Sequence, residues 1–157
     1  MTASPSYKVD VRRLEEFSAR DLYAMLKMRV DVFVVEQICA YPELDGNDPD
    51  CLHLRLLDGD DLLACARLWR PTPDVPPRIG RVTVSPDHRG KRLGDALMRE
   101  AITECEKAYP GEPIEISAQA HLQKFYGSLG FAPTSEEYLE DGIPHVDMVR
   151  PSTATAG

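Results

Sequence analysis

The sequence predicts an α/β fold in a single domain, a mixed sheet flanked by helices, and two observations carry that prediction. Short runs of alternating apolar residues interleave with longer runs at helical spacing, in the order strand, helix, hairpin, strand, helix, strand, helix, hairpin. The chain has 157 residues, 43% of them hydrophobic, which suits one core of ordinary size and leaves no room for a second domain.

Tyr7, Val9 and Val11 alternate with polar residues as a half-buried strand does. Ser18 and Asp21 then open a helix in the manner of a capping box, with Asp in place of Glu or Gln. Leu22, Leu26, Val30 and Phe33 keep helical spacing, so helix is expected from Ala19 to about Val35, with a break near Val32. Tyr41 to Asp50 is an acidic loop in which Pro42, Gly46 and Pro49 prevent most regular structure. The apolar runs His53 to Leu57 and Leu62 to Trp69, separated by Asp58-Gly59-Asp60-Asp61, signal a hairpin.

A proline-rich connection, Pro71 to Pro77, leads to a strand over Arg78 to Val84. Leu93, Leu97, Ala101, Cys105 and Ala108 mark one face of a long helix that Pro110-Gly111 ends. Ile114 to Ala118 reads as a strand and His121 to Leu129 as a helix, and Asp141-Gly142 joins two final strands. The domain is expected over residues 7–150, with small, polar, disordered tails at 1–6 and 151–157.

Composition excludes several classes of function. No stretch approaches the roughly 20 apolar residues of a membrane helix, and Met1 to Asp10 lacks the apolar centre of a signal peptide, so a cytoplasmic protein without membrane contact is expected. Cys39, Cys51, Cys65 and Cys105 form no Cys-x-x-Cys pair and read as reduced, mostly structural thiols. A net charge of −8 argues against nucleic-acid binding and leaves room for a cationic partner. Asp45-Gly46-Asn47-Asp48 begins like a calcium loop, but Pro49, Asp50 and Leu56 occupy the positions of a ligand, the turn glycine and the closing glutamate, so no metal is expected. Attraction of a cationic acceptor, or plain solvation, accounts for that loop's charge.

The stretch richest in chemistry is Arg89-Gly90-Lys91-Arg92-Leu93-Gly94, which joins the strand Arg81-Val82-Thr83-Val84 to the long helix. A glycine-bearing loop opening a helix offers unpaired N–H groups and the positive end of the helix dipole to an anion. Cations are unfavourable in a first turn, so Arg89, Lys91 and Arg92 make sense there if a phosphate-bearing ligand completes the site. Neither common nucleotide fingerprint fits, because Gly-x-Gly-x-x-Gly is absent and Asp95-Ala96 follows Gly94.

A second segment runs from Ile114 through Phe125-Tyr126-Gly127 to Gly130-Phe131. Together the two segments resemble the acyl-CoA-binding core of the GNAT superfamily of N-acetyltransferases, with its Gln/Arg-x-x-Gly-x-Gly/Ala loop and a later helix ending in Tyr before a Gly-Phe pair. Arg89 and Gly94 match, while Arg92 stands where the family usually has its middle Gly and can still offer its backbone N–H. Arg29 to Gln37, Leu44 to Asp48, Ala118 to Gln123 and Asp141 to His145 are similar to the ElaA-like branch, so the resemblance spans nearly all of Tyr7 to Arg150.

The resemblance implies an acetyl-CoA-dependent N-acetyltransferase with the GNAT fold. It implies pantetheine along Val82, Thr83 and Val84, pyrophosphate over Arg89, Gly90, Lys91, Arg92, Leu93 and Gly94, and Tyr126 as general acid to the leaving thiolate. The expected acceptor is a primary amine on a small molecule or peptide, attacking the thioester directly. An amine of pKa near 10.4 is only about 0.04% neutral at pH 7, so a route for its proton is needed. The strand Arg78 to Val84 carries no Glu, and of Glu36, His53, Glu115 and His121 we rank Glu36 first as base, beside water-mediated deprotonation. The competing reading is a non-catalytic acyl-CoA-binding module that regulates a partner. Oligomeric state stays open, with a homodimer among the options.

Overall fold

The structure, a computed structural model, describes residues 6–152. The tails expected to be disordered fall almost wholly outside those residues. Of them only Ser6, Pro151 and Ser152 are described, and they carry no regular structure.

Strand β1 (Lys8–Arg13) leads through a 3-10 turn to helix α1 (Ala19–Val30), and the hairpin β2 (Leu52–Asp58) and β3 (Asp61–Trp69) follows. Strand β4 (Arg78–Val84), helix α2 (Leu93–Ala108), β5 (Ile114–Gln119) and the short helix α3 (Gln123–Gly127) form the centre. The chain ends with β6 (Ala132–Pro133), β7 (Tyr138–Glu140) and β8 (Ile143–Arg150). The eight strands form one sheet, ordered β1-β2-β3-β4-β5-β8-β6, with β7 pairing on β8. Only β4 and β5 run parallel; every other pair is antiparallel. This is the expected mixed sheet flanked by helices.

Side-chain alternation explains the layers. Ala64, Ala66 and Leu68 on β3 face a core shared with α2, where Leu97, Met98, Ala101 and Cys105 are fully buried. Cys65 points the other way and packs with Met25 and Met28 of α1. β3 is therefore buried on both faces, which is why it reads as a continuous apolar run. Emptying the Leu97 position to Ala would cost about 2–5 kcal/mol by the usual cavity penalty.

Several elements differ from expectation in instructive ways. Ser18 Oγ accepts from Asp21 N–H at 3.1 Å, so the cap forms. The expected break near Val32 is a change of pitch rather than an interruption: Asp31–Glu36 winds on as a π-helix, with Gln37 N–H donating to Val32 O at 3.2 Å. The helix expected over His121 to Leu129 is only five residues long behind a 3-10 turn at Ala120–Leu122. Ala108 is exposed, and Met98 and Ile102 join the buried face of α2 instead. The Asp141-Gly142 turn joins β7 and β8 as expected, both residues having positive φ, as a tight hairpin turn requires.

Candidate active site

The site begins with a fault in the sheet. β3 and β4 pair at Cys65↔Thr83 and again at Arg67↔Gly80, so two steps along β3 oppose three along β4. The extra residue produces a bulge at Arg81, held at φ +51°. β4 and β5 keep one paired position, Arg78↔Glu115, and then part. Ser85 N–H is bonded to Leu63 O at 2.8 Å, so strand alternation turns the backbone groups of Val84 and Val82 toward the open edge.

The gap holds a cavity of about 160 Å³ whose walls include Gly80, Arg81, Val82, Ser117, Tyr126 and His145. It shares Gln37, Arg81, Ser117, Gln119 and His145 with a larger cavity of about 380 Å³, bounded by the acidic loop, β3, β4 and the β7–β8 turn. Tyr126 is buried and its ring makes edge-on contacts with Phe125 and Phe131. Burial pushes its hydroxyl up to about 12.

Beyond β4, the loop enters α2 through two left-handed residues, Gly90 at φ +82° and Arg92 at φ +59°. Arg92 caps the helix in a conformation that costs a residue with a side chain and suits glycine. Leu93 gives its side chain to the core, leaving only its N–H at the turn. A Cβ added at Gly94 would meet nothing within 4 Å, so the helix mouth is open to close approach. Free backbone edges on Val82 and Val84, an open helix N-terminus and exposed Arg89 and Lys91 together fit an extended, phosphate-bearing ligand. Thr83 contributes backbone only, because its buried hydroxyl donates to Arg81 O at 2.9 Å.

In the acidic loop Asp50 is exposed, but Glu43, Asp45 and Asp48 are paired with arginines of the fold. Arg29, 1% exposed, donates to Glu43 at 2.7 Å and to Asp48 at 2.9 and 3.2 Å. Arg67 bonds Asp45 at 2.6 and 3.0 Å and Asp48 at 3.1 Å. Arg81 Nε lies 2.8 Å from Glu43 Oε1, a charge contact off the line of its N–H. Three carboxylates thus face three guanidinium groups across α1, the loop, β3 and β4. Burial works to raise the Asp48 carboxyl, but Arg29 and Arg67 outweigh it and hold it below the usual range. The Arg67 hydrogen bond pulls Asp45 down, against its own desolvation.

The residues ranked as bases are scattered. Glu36 ends the π-helix in a 2.7 Å ion pair with Arg89, nearly half exposed, and lines neither cavity. His53 is buried with Nε2 2.9 Å from Asp48 O, Glu115 faces Arg78 at 3.2 Å, and His121 is exposed. None of the three lines either cavity. The cavity walls instead carry His145 and Ser117, to which sequence reasoning assigned no role. The alternation that makes Ile116 and Ala118 inward-facing puts Ser117 and Gln119 on the other face, and β8 register sets Asp147 and His145 opposite them. That pairing register was the missing signal.

Among the described residues no group of three or more His, Cys, Asp or Glu side chains could hold a metal, and no helix is long and apolar enough to cross a membrane.

The profile of the acetyltransferase (GNAT) domain matches residues 28–151. Protein ElaA of Escherichia coli is 46% identical over 138 residues, covering 86% of this chain and 90% of that protein. Its crystal structure superposes with a TM-score of 0.85 at 42% identity, covering 92% of this chain and 99% of that one. An acyl-CoA N-acyltransferase from Pseudomonas aeruginosa gives 0.87 at 42% identity with the same coverage. A Bacillus subtilis acetyltransferase solved with CoA shares the fold at a TM-score of 0.68 and 18% identity, covering 93% and 99% of the two chains. With its one parallel strand pair splayed over a glycine-bearing helix mouth, the chain belongs to the GNAT acetyltransferase family, in its ElaA-like branch.

Proposed function

We propose that this protein transfers acetyl from acetyl-CoA to a primary amine by direct attack on the thioester. One observation carries the reading: the cavity between β4 and β5 has Tyr126 on its wall and opens into a second, polar cavity large enough for an acceptor. A volume of about 380 Å³ lies at the small-molecule end of ordinary ligand pockets and suits a compact amine or a peptide terminus. Three arginines and three carboxylates on its wall favour an acceptor that carries polar groups beside the amine.

In this reading Val82 and Val84 offer strand-like backbone hydrogen bonds to the pantetheine arm, and Arg89, Lys91 and the first turn of α2 receive the phosphates. Tyr126 donates a hydrogen bond to the sulfur as it takes on charge. A hydroxyl near 12 facing a thiol near 8.5 would lose about 5 kcal/mol on full proton transfer, so Tyr126 stabilises the leaving thiolate without becoming tyrosinate. The free thiols, three of them buried, suit a reducing compartment and support a cytoplasmic setting.

The test is thiol release from acetyl-CoA across a broad amine panel, with CoA binding measured in parallel by calorimetry. Amine-dependent release is expected. Tight CoA binding with no release for any amine would move the protein to the regulatory-module reading.

A further inference from the structure

We infer that His145 takes the proton from the acceptor amine, through Nε2, and that Glu140 stabilises the imidazolium this creates. The inference rests on the N-acetyltransferase reading above. Its first support is position. Arg81 and His145 are the two ionisable side chains on the wall common to both cavities, and an arginine cannot act as a base. Tyr126 lines the smaller cavity with them, so the donor to the leaving sulfur and the acceptor of the amine proton share one space of about 160 Å³.

The second support is the state of the ring. His145 Nδ1 lies 2.7 Å from Ile143 O, and a carbonyl only accepts, so Nδ1 carries the hydrogen and the neutral ring keeps its lone pair on Nε2. Tyr138 stacks on the imidazole with centroids 6.2 Å apart and planes 26° from parallel, which fixes the ring plane. Glu140 Oε2 stands 3.4 Å from Nε2 on a half-exposed side chain. That is long for a hydrogen bond to a neutral ring and near enough for the carboxylate to attract the proton once it has arrived on Nε2. Other charged or titratable groups around this space are Tyr41 and Asp45 in the loop, Cys39 after the π-helix, Arg67 on β3, Arg78 and Arg81 on β4, Tyr138 on β7 and Asp141 in the turn. Asp147 lies further along β8, where it accepts from Tyr138 OH at 2.6 Å.

The ammonium gives its first proton to Nε2, and the freed lone pair forms the carbon–nitrogen bond. The carbon–sulfur pair leaves on sulfur, which receives the second nitrogen proton with Tyr126 donating alongside. His145 then returns its proton to water at the open side of the larger cavity.

A rival route exists in the same wall. Ser117 Oγ lies 2.6 Å from Tyr138 OH, which donates to Asp147 at 2.6 Å, so a hydroxyl chain also leads away from the cavity. The two routes make different predictions. In wild type, kcat/KM for the amine should reach a plateau below the amine's own pKa of about 10.4, because the ammonium form is the one consumed. His145→Gln should lower kcat/KM about 10²–10⁴-fold at pH 7, the usual range for a positioned base. Its rate should then climb about tenfold per pH unit toward pH 10, as the amine deprotonates unaided. CoA affinity by calorimetry should stay within threefold of wild type. A separate reading needs no turnover: nitrogen-15 spectra of the imidazole, assigned with His145→Gln, should show the Nδ1–H tautomer at pH 8.

A His145→Gln profile that parallels wild type at every pH, or an Nε2–H tautomer, would overturn the inference. So would a larger loss in Ser117→Ala that abolishes the plateau, which would hand the proton to the hydroxyl chain. Absence of thiol release by wild type with any amine would count against the acetyltransferase reading itself, and the tautomer would still decide the state of the ring.

Discussion

The phosphate-loop side of the molecule and the loop-and-hairpin side are built by opposite means. Around Val82 to Gly94 the groups on offer are backbone N–H and C=O, freed by a bulge, a parted strand pair and a left-handed helix entry. Around the larger cavity they are side chains, and most of their charge is already neutralised within the fold, Arg29, Arg67 and Arg81 against Glu43, Asp45 and Asp48. Backbone chemistry tolerates sequence change, so one side can keep one ligand class across distant relatives. Side-chain chemistry does not, so under the proposed function the other side is where acceptor choice would be written.

The largest test of this division is Tyr126→Phe, at the junction of the two sides. Turnover should fall about 10²–10⁴-fold with little change in CoA affinity or thermal midpoint. Equal losses in binding and stability would make Tyr126 a packing residue, and near-wild-type turnover with chemistry rate-limiting would end its role. Arg29→Ala comes next. It strips the counter-charge from buried Glu43 and Asp48, so urea denaturation should show a loss of about 3–5 kcal/mol. An unchanged midpoint would mean that the cluster does not brace the acceptor wall.

On the opposite side, Arg89→Ala and Lys91→Ala should each weaken CoA about 10- to 150-fold by calorimetry, the worth of one charge-assisted phosphate bond, and leave the fold intact. Unchanged affinity would remove the phosphate assignment. Arg92→Gly should raise stability by about 1–2 kcal/mol, because it relieves a non-glycine residue at φ +59°. A fall in the melting temperature would mean that the Arg92 side chain makes contacts worth more than the strain. Smallest is Glu36→Gln. Exposed ion pairs are worth about 1 kcal/mol at most, so CoA affinity should move less than about fivefold and the pH profile of turnover should stay as it is. A large kcat loss with CoA binding intact would restore Glu36 as the base.

These tests follow the line between what the sequence made legible and what it hid. β2, β3 and α2 were readable because Leu54 through Leu68 form two apolar runs divided by turn residues, and Leu93 through Cys105 repeat with the period of a helix. The loop before α2 was readable because glycines and cations are local signals. The two-residue β6 carries too little pattern to announce itself, and its place beside β8 depends on pairing across the chain. The acidic loop misled for a related reason: Glu43, Asp45 and Asp48 look like a solvated run until Arg29, Arg67 and Arg81, 14 to 38 residues away, are brought against them. His145 was visible as a letter and invisible as a wall of the cavity, since its opposition to Gln119 is fixed by strand register alone.

The π-helix at Asp31–Glu36 makes residue count matter as well as residue type. It begins directly after α1, which aims Arg29 at Glu43 and Asp48, and it ends at Gln37, which accepts from Gln119 at 3.4 Å across the mouth of the β4–β5 gap. Deleting one residue from the segment would allow ordinary α-helical bonding and turn one end by about 100° relative to the other. The chain would then have to give up either the buried guanidinium or the glutamine bridge. Point substitutions along this segment leave that phase alone, whereas a single-codon deletion resets it, so insertions and deletions here, more than changes of composition, should mark relatives whose cavity has a different shape.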